Sequence, residues 1–280
     1  MTFPQKGAQR ASSRSMRLVA MVLFAAVFAI GGLATNPTST LAAGKKVVVV
    51  VGPVGSQTSS YIKTAKSYAS TARNYGANVI EIYSPYATWK KVKRKAQGAN
   101  ILIYLGHGNG YPSPYGSFQR YTKDGFGLNK TAGSGNSNVK YWGEYYIARD
   151  IKLARNAVVI LARLCYASGN SEWGAANPTR KVAKKRVDNY GAGFLRTGAK
   201  AVFAEGITNA SYIIRELVTS SKTMKQIFWS SPNKTGTHRF SFASNRTSGM
   251  RAQMDPYKPS RYYRSVIGKL SITAAQWRNS

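Results

Sequence analysis

The sequence predicts an α/β fold, a three-layer α-β-α sandwich around a mostly parallel sheet, with a short β-rich extension at its C-terminal end. Three observations carry this prediction. Short runs of consecutive β-branched and aliphatic residues recur along the chain, too uniformly apolar for strands with a solvent face. Stretches with apolar residues at helical spacing lie between them. From Lys45 to Leu105 the order is strand, helix, strand, helix, strand. That order makes two βαβ units, which implies parallel pairing and right-handed crossovers.

Each element has its own signal in the chain. Lys45 to Val51 (KKVVVVV) is a buried strand stopped by Gly52-Pro53. In SSYIKTAKSYASTARNYG, the apolar residues Ile62, Ala65, Ala69 and Ala72 recur at helical spacing, and Gly76 closes the helix. Asn78 to Tyr83 alternates as a second strand; Ala87 to Gln97 is a basic helix ended by Gly98. Asn100 to Leu105 (NILIYL) is a third strand running into Gly106-His107-Gly108. Residues 108–138 form a Gly-, Pro-, Ser- and Tyr-rich segment, and long loops of this kind in a compact domain are usually functional. Tyr141 to Ala154 reads as a helix, and Asn156 to Leu164 as a fourth buried strand that delivers Cys165. A helix from Pro178 to Gly198, weakened by Gly191 and Gly193, leads to a fifth strand, Lys200 to Ala204. Ser211 to Trp229 reads as one amphipathic helix, and alternation in HRFSFASNR and YYRSVIGKLSITA marks the β extension.

The N-terminal segment is set apart by its pattern. Met1 to Arg17 holds Lys6, Arg10, Arg14 and Arg17 and no acid; Leu18 to Ala34 is wholly apolar; small residues follow at Ala42 and Ala43. This order is that of a secretory signal peptide, with an uncleaved membrane anchor as the alternative. The organisation expected is a signal peptide over 1–43, an α/β domain over 44–232 and a β-rich extension over 233–280. The expected location is secreted or at the cell surface.

The net charge is +32, and removing residues 1–43 takes away four basic residues and no acid, leaving +28. Such a charge attracts polyanions at long range. An anionic cell-wall polymer or another polyanion is therefore an expected partner, against a merely solvated basic surface. The cations of WKKVKRK fit the outer face of a helix, and no specific nucleic-acid recognition is expected. With two histidines and one cysteine the chain offers too few soft ligands for a structural zinc site, and no metal or other cofactor is expected. GPVGS lacks the Gly-Lys-Ser/Thr of a phosphate loop.

Cys165 is the only cysteine. It has no intramolecular disulfide partner, and a free thiol in an exported protein is either buried or used. In open parallel sheets ligands bind beyond the carboxyl ends of the strands. The ends here read GPVG, YSPY, GHGNG, CYASG and EG, which puts His107 and Cys165 on one edge. Arg163, two residues before Cys165, would share its face on a continuing strand and could favour thiolate or bind a substrate carboxylate. Glu205 could read a basic substrate group or cap the turn at Gly206. Tyr111 and Tyr115, with Phe118 and Tyr121, could line a groove; Asp124 and Glu144 are weaker candidates. His238 reads as a surface residue.

A hydrophobic strand ending in His-Gly, then a second ending in Cys-x-Ser-Gly 58 residues later, resembles the caspase-like (clan CD) cysteine peptidases. DGFGLN, YWGEYYIARDIKLARNAVVILARLCYASG and YGAGFLRTGAKAVFAEG place it closest, in motif order, to CHAT-type domains over roughly residues 45–230. GHGNGYPSPYG and LCYASGNSEWG also resemble a group of exported bacterial proteins without an established role. The caspase-like resemblance implies a peptide or protein substrate, His107 as general base and Cys165 as nucleophile. It further implies an oxyanion hole from the amides of Gly108 and Cys165. No residue of a specificity pocket can be placed from it, and the Tyr–Pro loop after His107 departs from it. A binding protein of the same fold without chemistry is the alternative, as is the same dyad acting on another ester or amide.

Overall fold

The computed structural model describes residues 44–207 and 209–280. The expected signal peptide, residues 1–43, lies outside the described residues. Ten strands and seven α-helices follow one another within them, with a short 3-10 turn at Gly55–Gln57. The first half alternates strand and helix: β1 (Lys46–Val51), α1 (Thr58–Asn74), β2 (Asn78–Tyr83), α2 (Trp89–Ala96) and β3 (Ile101–Leu105). A two-stranded antiparallel ribbon, β4 (Phe126–Asn129) and β5 (Val139–Trp142), precedes α3 (Glu144–Asp150) and β6 (Val158–Ala162). Then come α4 (Arg180–Leu195), β7 (Ala201–Glu205), α5 (Ser211–Thr219) and α6 (Met224–Trp229). The chain closes with β8 (Phe240–Ala243), β9 (Arg251–Met254), β10 (Arg264–Gly268) and α7 (Ala274–Arg278).

The main sheet has the order β2-β1-β3-β6-β7-β10-β9-β8. The first five strands are parallel and the last three join antiparallel. Uniformly apolar strands need cover on both faces, and they have it. Val47, Val49 and Val51 pack with Tyr68 of α1, Ile213 and Leu217 of α5, Phe228 of α6 and Trp277 of α7. Val48 and Val50 face Trp89 and Val92 of α2, Ile147 of α3, and Val187, Tyr190 and Phe194 of α4. The result is the three-layer α-β-α sandwich with a mostly parallel sheet that the sequence predicts. Each fully buried valine of β1 contributes on the order of 1.5–3 kcal/mol.

Tertiary pairing changes several local expectations. The β-rich tail extends the main sheet, because β10 pairs antiparallel with β7, Arg264 opposite Glu205. The Gly-rich segment contains β4, with Phe126 and Leu128 fully buried. The helix expected from Tyr141 starts only at Glu144, since Tyr141 and Trp142 pair with Gly127 and Phe126 and the Trp142 ring stacks on Trp89 at 5.1 Å. The long helix expected over Ser211 to Trp229 breaks after Thr219. There the Ser220 hydroxyl donates to the Glu216 carbonyl, and Thr223 with Gln226 forms a capping box that restarts the chain as α6.

The junction of β7 and β10 holds a buried ionic network. Arg264 Nε donates to Glu205 Oε2 at 2.9 Å and Nη1 to Asp255 Oδ2 at 2.5 Å, while Nη2 donates to the Phe228 carbonyl. Tyr212 donates its hydroxyl to Glu205 Oε1 at 2.7 Å. All three ions are at most 2% exposed, so the pairing offsets a large desolvation penalty, and removing one partner strands the rest. Glu205→Ala is expected to lower stability by about 3–5 kcal/mol in urea denaturation, with Glu205→Gln losing less. Equal stability of wild type and Glu205→Ala would refute this account.

Candidate active site

Pairing of β3 with β6 builds the site. The two strands run parallel with Leu105 opposite Ala162, so their exits leave the sheet as neighbours. His107 lies two residues past β3 and Cys165 three past β6, and both line one cleft of about 1050 Å³. The segments touch through glycine: a Cβ on Gly108 would sit 2.0 Å from the Cys165 carbonyl oxygen, so no side chain fits there. Among the described residues, no backbone hydrogen bond is donated by the amides of Gly108 and Cys165.

The backbone around Cys165 is strained. Arg163 and Tyr166 have φ of 59° and 68°, a region that non-glycine residues rarely occupy. The Ala167 amide donates to the Cys165 carbonyl at 2.8 Å, so Tyr166 centres a γ-turn of the rarer, positive-φ kind. These turns end β6 at Ala162 and lift Cys165 out of the sheet to a half-buried position. Strain of this kind clusters where a side chain must be held for use.

Behind His107, the fully buried Tyr104 hydroxyl has one proton to give to the Gly127 carbonyl, at 2.8 Å, or the His107 carbonyl, at 3.1 Å, and accepts the Gly127 amide at 2.9 Å. One hydroxyl thus ties the exit of β3 to β4. The loop from Gly108 is knit as tightly. Lys123 Nζ donates to Asn109 Oδ1, Ser113 Oγ and the Tyr115 carbonyl, and Asp124 Oδ1 accepts the Tyr111 amide. Burial pushes the Asp124 carboxyl well above the usual carboxylate range. Glu144 accepts from Arg246 at 2.8 Å under the loop. Asp124 and Glu144 are therefore supports of the loop and do not line the cleft.

The other sequence candidates separate. Tyr115 lines the cleft, 62% exposed; Tyr111 packs its ring against Phe118 and lies outside it. Glu205 is fully buried in the Arg264 network, so the substrate contact considered for it is corrected to a core ion pair. Arg163 does not continue β6. Its positive φ sends the guanidinium over the Tyr61 ring and to Ser60 Oγ at 3.2 Å, where it borders a second cleft of about 480 Å³ with Cys165.

Two residues were missed by sequence reasoning. Glu172, the one acid between Asp150 and Asp188, borders both clefts and accepts the hydroxyls of Tyr115 at 2.8 Å and Tyr166 at 2.9 Å. Its isolation in a basic stretch was the available signal. Arg186, 5% exposed, donates to the carbonyls of Pro112 and Asn170 and to Ser171 Oγ, joining the two walls from α4. Its helical phase with Ala183, Val187 and Tyr190 marked an Arg on a core-facing stripe.

Burial and the Glu172 charge push the Cys165 thiol up to about 11, against the weaker pull of the Trp173 amide and Arg186. Burial holds the His107 imidazole below its ordinary value, opposed by Glu172. The resting pair is therefore neutral thiol and neutral imidazole at physiological pH. Thiolate chemistry from this resting state needs a base acting during attack.

No family model and no curated protein matches the chain. Among solved structures it is similar to protein GSU0716 from Geobacter sulfurreducens, at 14% identity and a TM-score of 0.33, over 66% of this chain and 87% of that one.

Removing the Glu172 charge eases thiolate formation. Glu172→Gln is expected to raise the iodoacetamide rate of Cys165 at pH 8 by roughly three- to tenfold, as a drop of up to about one pKa unit allows. The wild-type rate should still be climbing above pH 10, with the variant's profile displaced to lower pH. Superimposable profiles would remove Glu172 from the electrostatics of the thiol.

Proposed function

We propose that this chain is a cysteine hydrolase, in its most specific form an exported peptidase of caspase-like type, with Cys165 as nucleophile and His107 as general base. The observation that carries the proposal is the pair of adjacent strand exits that bring a half-buried thiol, flanked by strained backbone, and the His107 imidazole to one cleft. The resemblance of the two strand-end motifs to clan CD enzymes supplies the substrate class.

In this reading Cys165 Sγ attacks the scissile carbonyl carbon as His107 takes the thiol proton. The carbonyl electron pair moves onto oxygen, where the amides of Gly108 and Cys165 donate to it; two preorganised donors of this kind supply several kcal/mol. Collapse re-forms the C=O and breaks the C–N bond, and the imidazolium returns its proton to the leaving amine. Water, deprotonated by His107, then attacks the thioester and releases the acid and the thiol. Because the imidazole is neutral at rest, it is ready to accept the proton at neutral pH.

A second reading keeps the cleft as a binding site without turnover. It is favoured by the high thiol pKa, which disfavours free thiolate in the resting protein. Digestion of a diverse peptide library with residues 44–280, analysed by mass spectrometry, separates the two. The peptidase reading expects cleavage by wild type and a loss of at least about a hundredfold in Cys165→Ala and His107→Ala, the general-base contribution alone reaching that size. Cleavage of activated esters but not peptides would move the substrate class, and no cleavage of either would leave the binding reading.

A further inference from the structure

The first two turns of α4 carry Arg180, Lys181, Lys184 and Lys185, all exposed, and none forms an ion pair among the described residues. They line a groove of about 440 Å³ between α4 and β8, closed by Phe242 and Asn245. The one acid there, Asp188, is turned inward, accepting the Ser244 hydroxyl and the Asn245 amide, and is 5% exposed. With Asp188 counted, the lining still carries three more positive than negative charges. The macrodipole of α4 is positive at this same end, which adds to their mutual repulsion.

Two of the cations are held in place. The Arg180 guanidinium lies 4.0 Å from the centre of the Phe240 ring and Lys184 Nζ 5.4 Å from that of Phe242. Ordered cations lose less freedom when an anion binds, which raises affinity. The cations on the outer face of α2 (Lys90, Lys91, Arg94 and Lys95) make no such ring contacts among the described residues.

We infer that the α4–β8 groove is a binding site for a linear polyol-phosphate chain. A concave channel with cations along it suits a thin polyanion better than a planar anionic surface. The two rings beside the channel already carry cations, and Phe242 is 8% exposed, so bases would find little open π-face to stack on. The ligand chemistry that fits is thus repeated anionic charge without aromatic bases, which a polyol phosphate supplies. The inference is independent of Cys165 and His107, which lie in other clefts.

The test is equilibrium binding of fluorescent poly(glycerol phosphate) to the full chain over a salt series. Arg180, Lys181, Lys184 and Lys185 are all changed to Gln in one variant. In a second, Lys90, Lys91, Arg94 and Lys95 are changed to Gln, which removes equal charge from α2. Thermal melts verify that both are folded. The α4 variant should lose roughly tenfold or more in affinity, and its salt slope should fall by about 3, as loss of four phosphate contacts implies. The α2 variant should lose less than about twofold, and Cys165→Ala should bind like wild type. Equal losses in the two quadruple variants, or a loss in Cys165→Ala, would overturn the site. Equally tight binding of single-stranded DNA or anionic vesicles by the wild type would overturn the ligand class.

Discussion

The register of β3 against β6 is the constraint on which the rest depends. Parallel neighbours with Leu105 opposite Ala162 must release their chains side by side, at the same end of the sheet. The residues just past each strand then decide the chemistry. After β3, a Gly-His-Gly sequence lets backbone approach backbone, to the point where Gly108 admits no Cβ. After β6, two residues at positive φ turn the chain so that the thiol leaves the sheet plane. The Tyr104 hydroxyl, buried under both, ties this edge to β4.

The C-terminal strands have a similar relation to the whole. A five-stranded parallel sheet ending at β7 would expose an apolar edge, and β10 covers it in antiparallel fashion. The pairing brings Arg264 to Glu205 and Asp255 in the core, an arrangement more costly to break than to have omitted. The tail is therefore continuous with the domain core, with Val266 and Trp277 fully buried against the same face as α1 and α5.

Electrostatics divides the molecule. Its exterior is overwhelmingly cationic, yet at the thiol the nearest strong influence is a single carboxylate, Glu172, bracketed by two tyrosine hydroxyls. Partial burial and then the Glu172 charge oppose thiolate, and partial burial opposes imidazolium, so the pair stays uncharged. Arg186 holds both walls of the cleft through neutral acceptors and stacks on Tyr166 at 4.7 Å, adding position more than charge.

The sequence by itself determined the fold class, the parallel strands within a residue or two at each end, and the placing of His107 and Cys165 at strand ends. These are local or periodic properties: runs of valine and isoleucine need two covered faces wherever they fold. The tertiary structure decided what depends on partners distant in sequence. β5 formed instead of a helical turn because Trp142 found Phe126 and Trp89. Glu205 entered the core because Arg264 lies 59 residues away in sequence and opposite it in register. Arg163 left the strand because a positive φ, invisible in residue type, was imposed by the turn around Cys165. Glu172 meets Tyr115 across 57 residues of sequence and Arg186 meets Pro112 across 74, contacts that only the fold sets. Pairing across the chain chose which of its many cations and few acids would gather around the thiol; local pattern marks Glu172 as an isolated acid and Arg186 as core-facing, and leaves their partners to the fold.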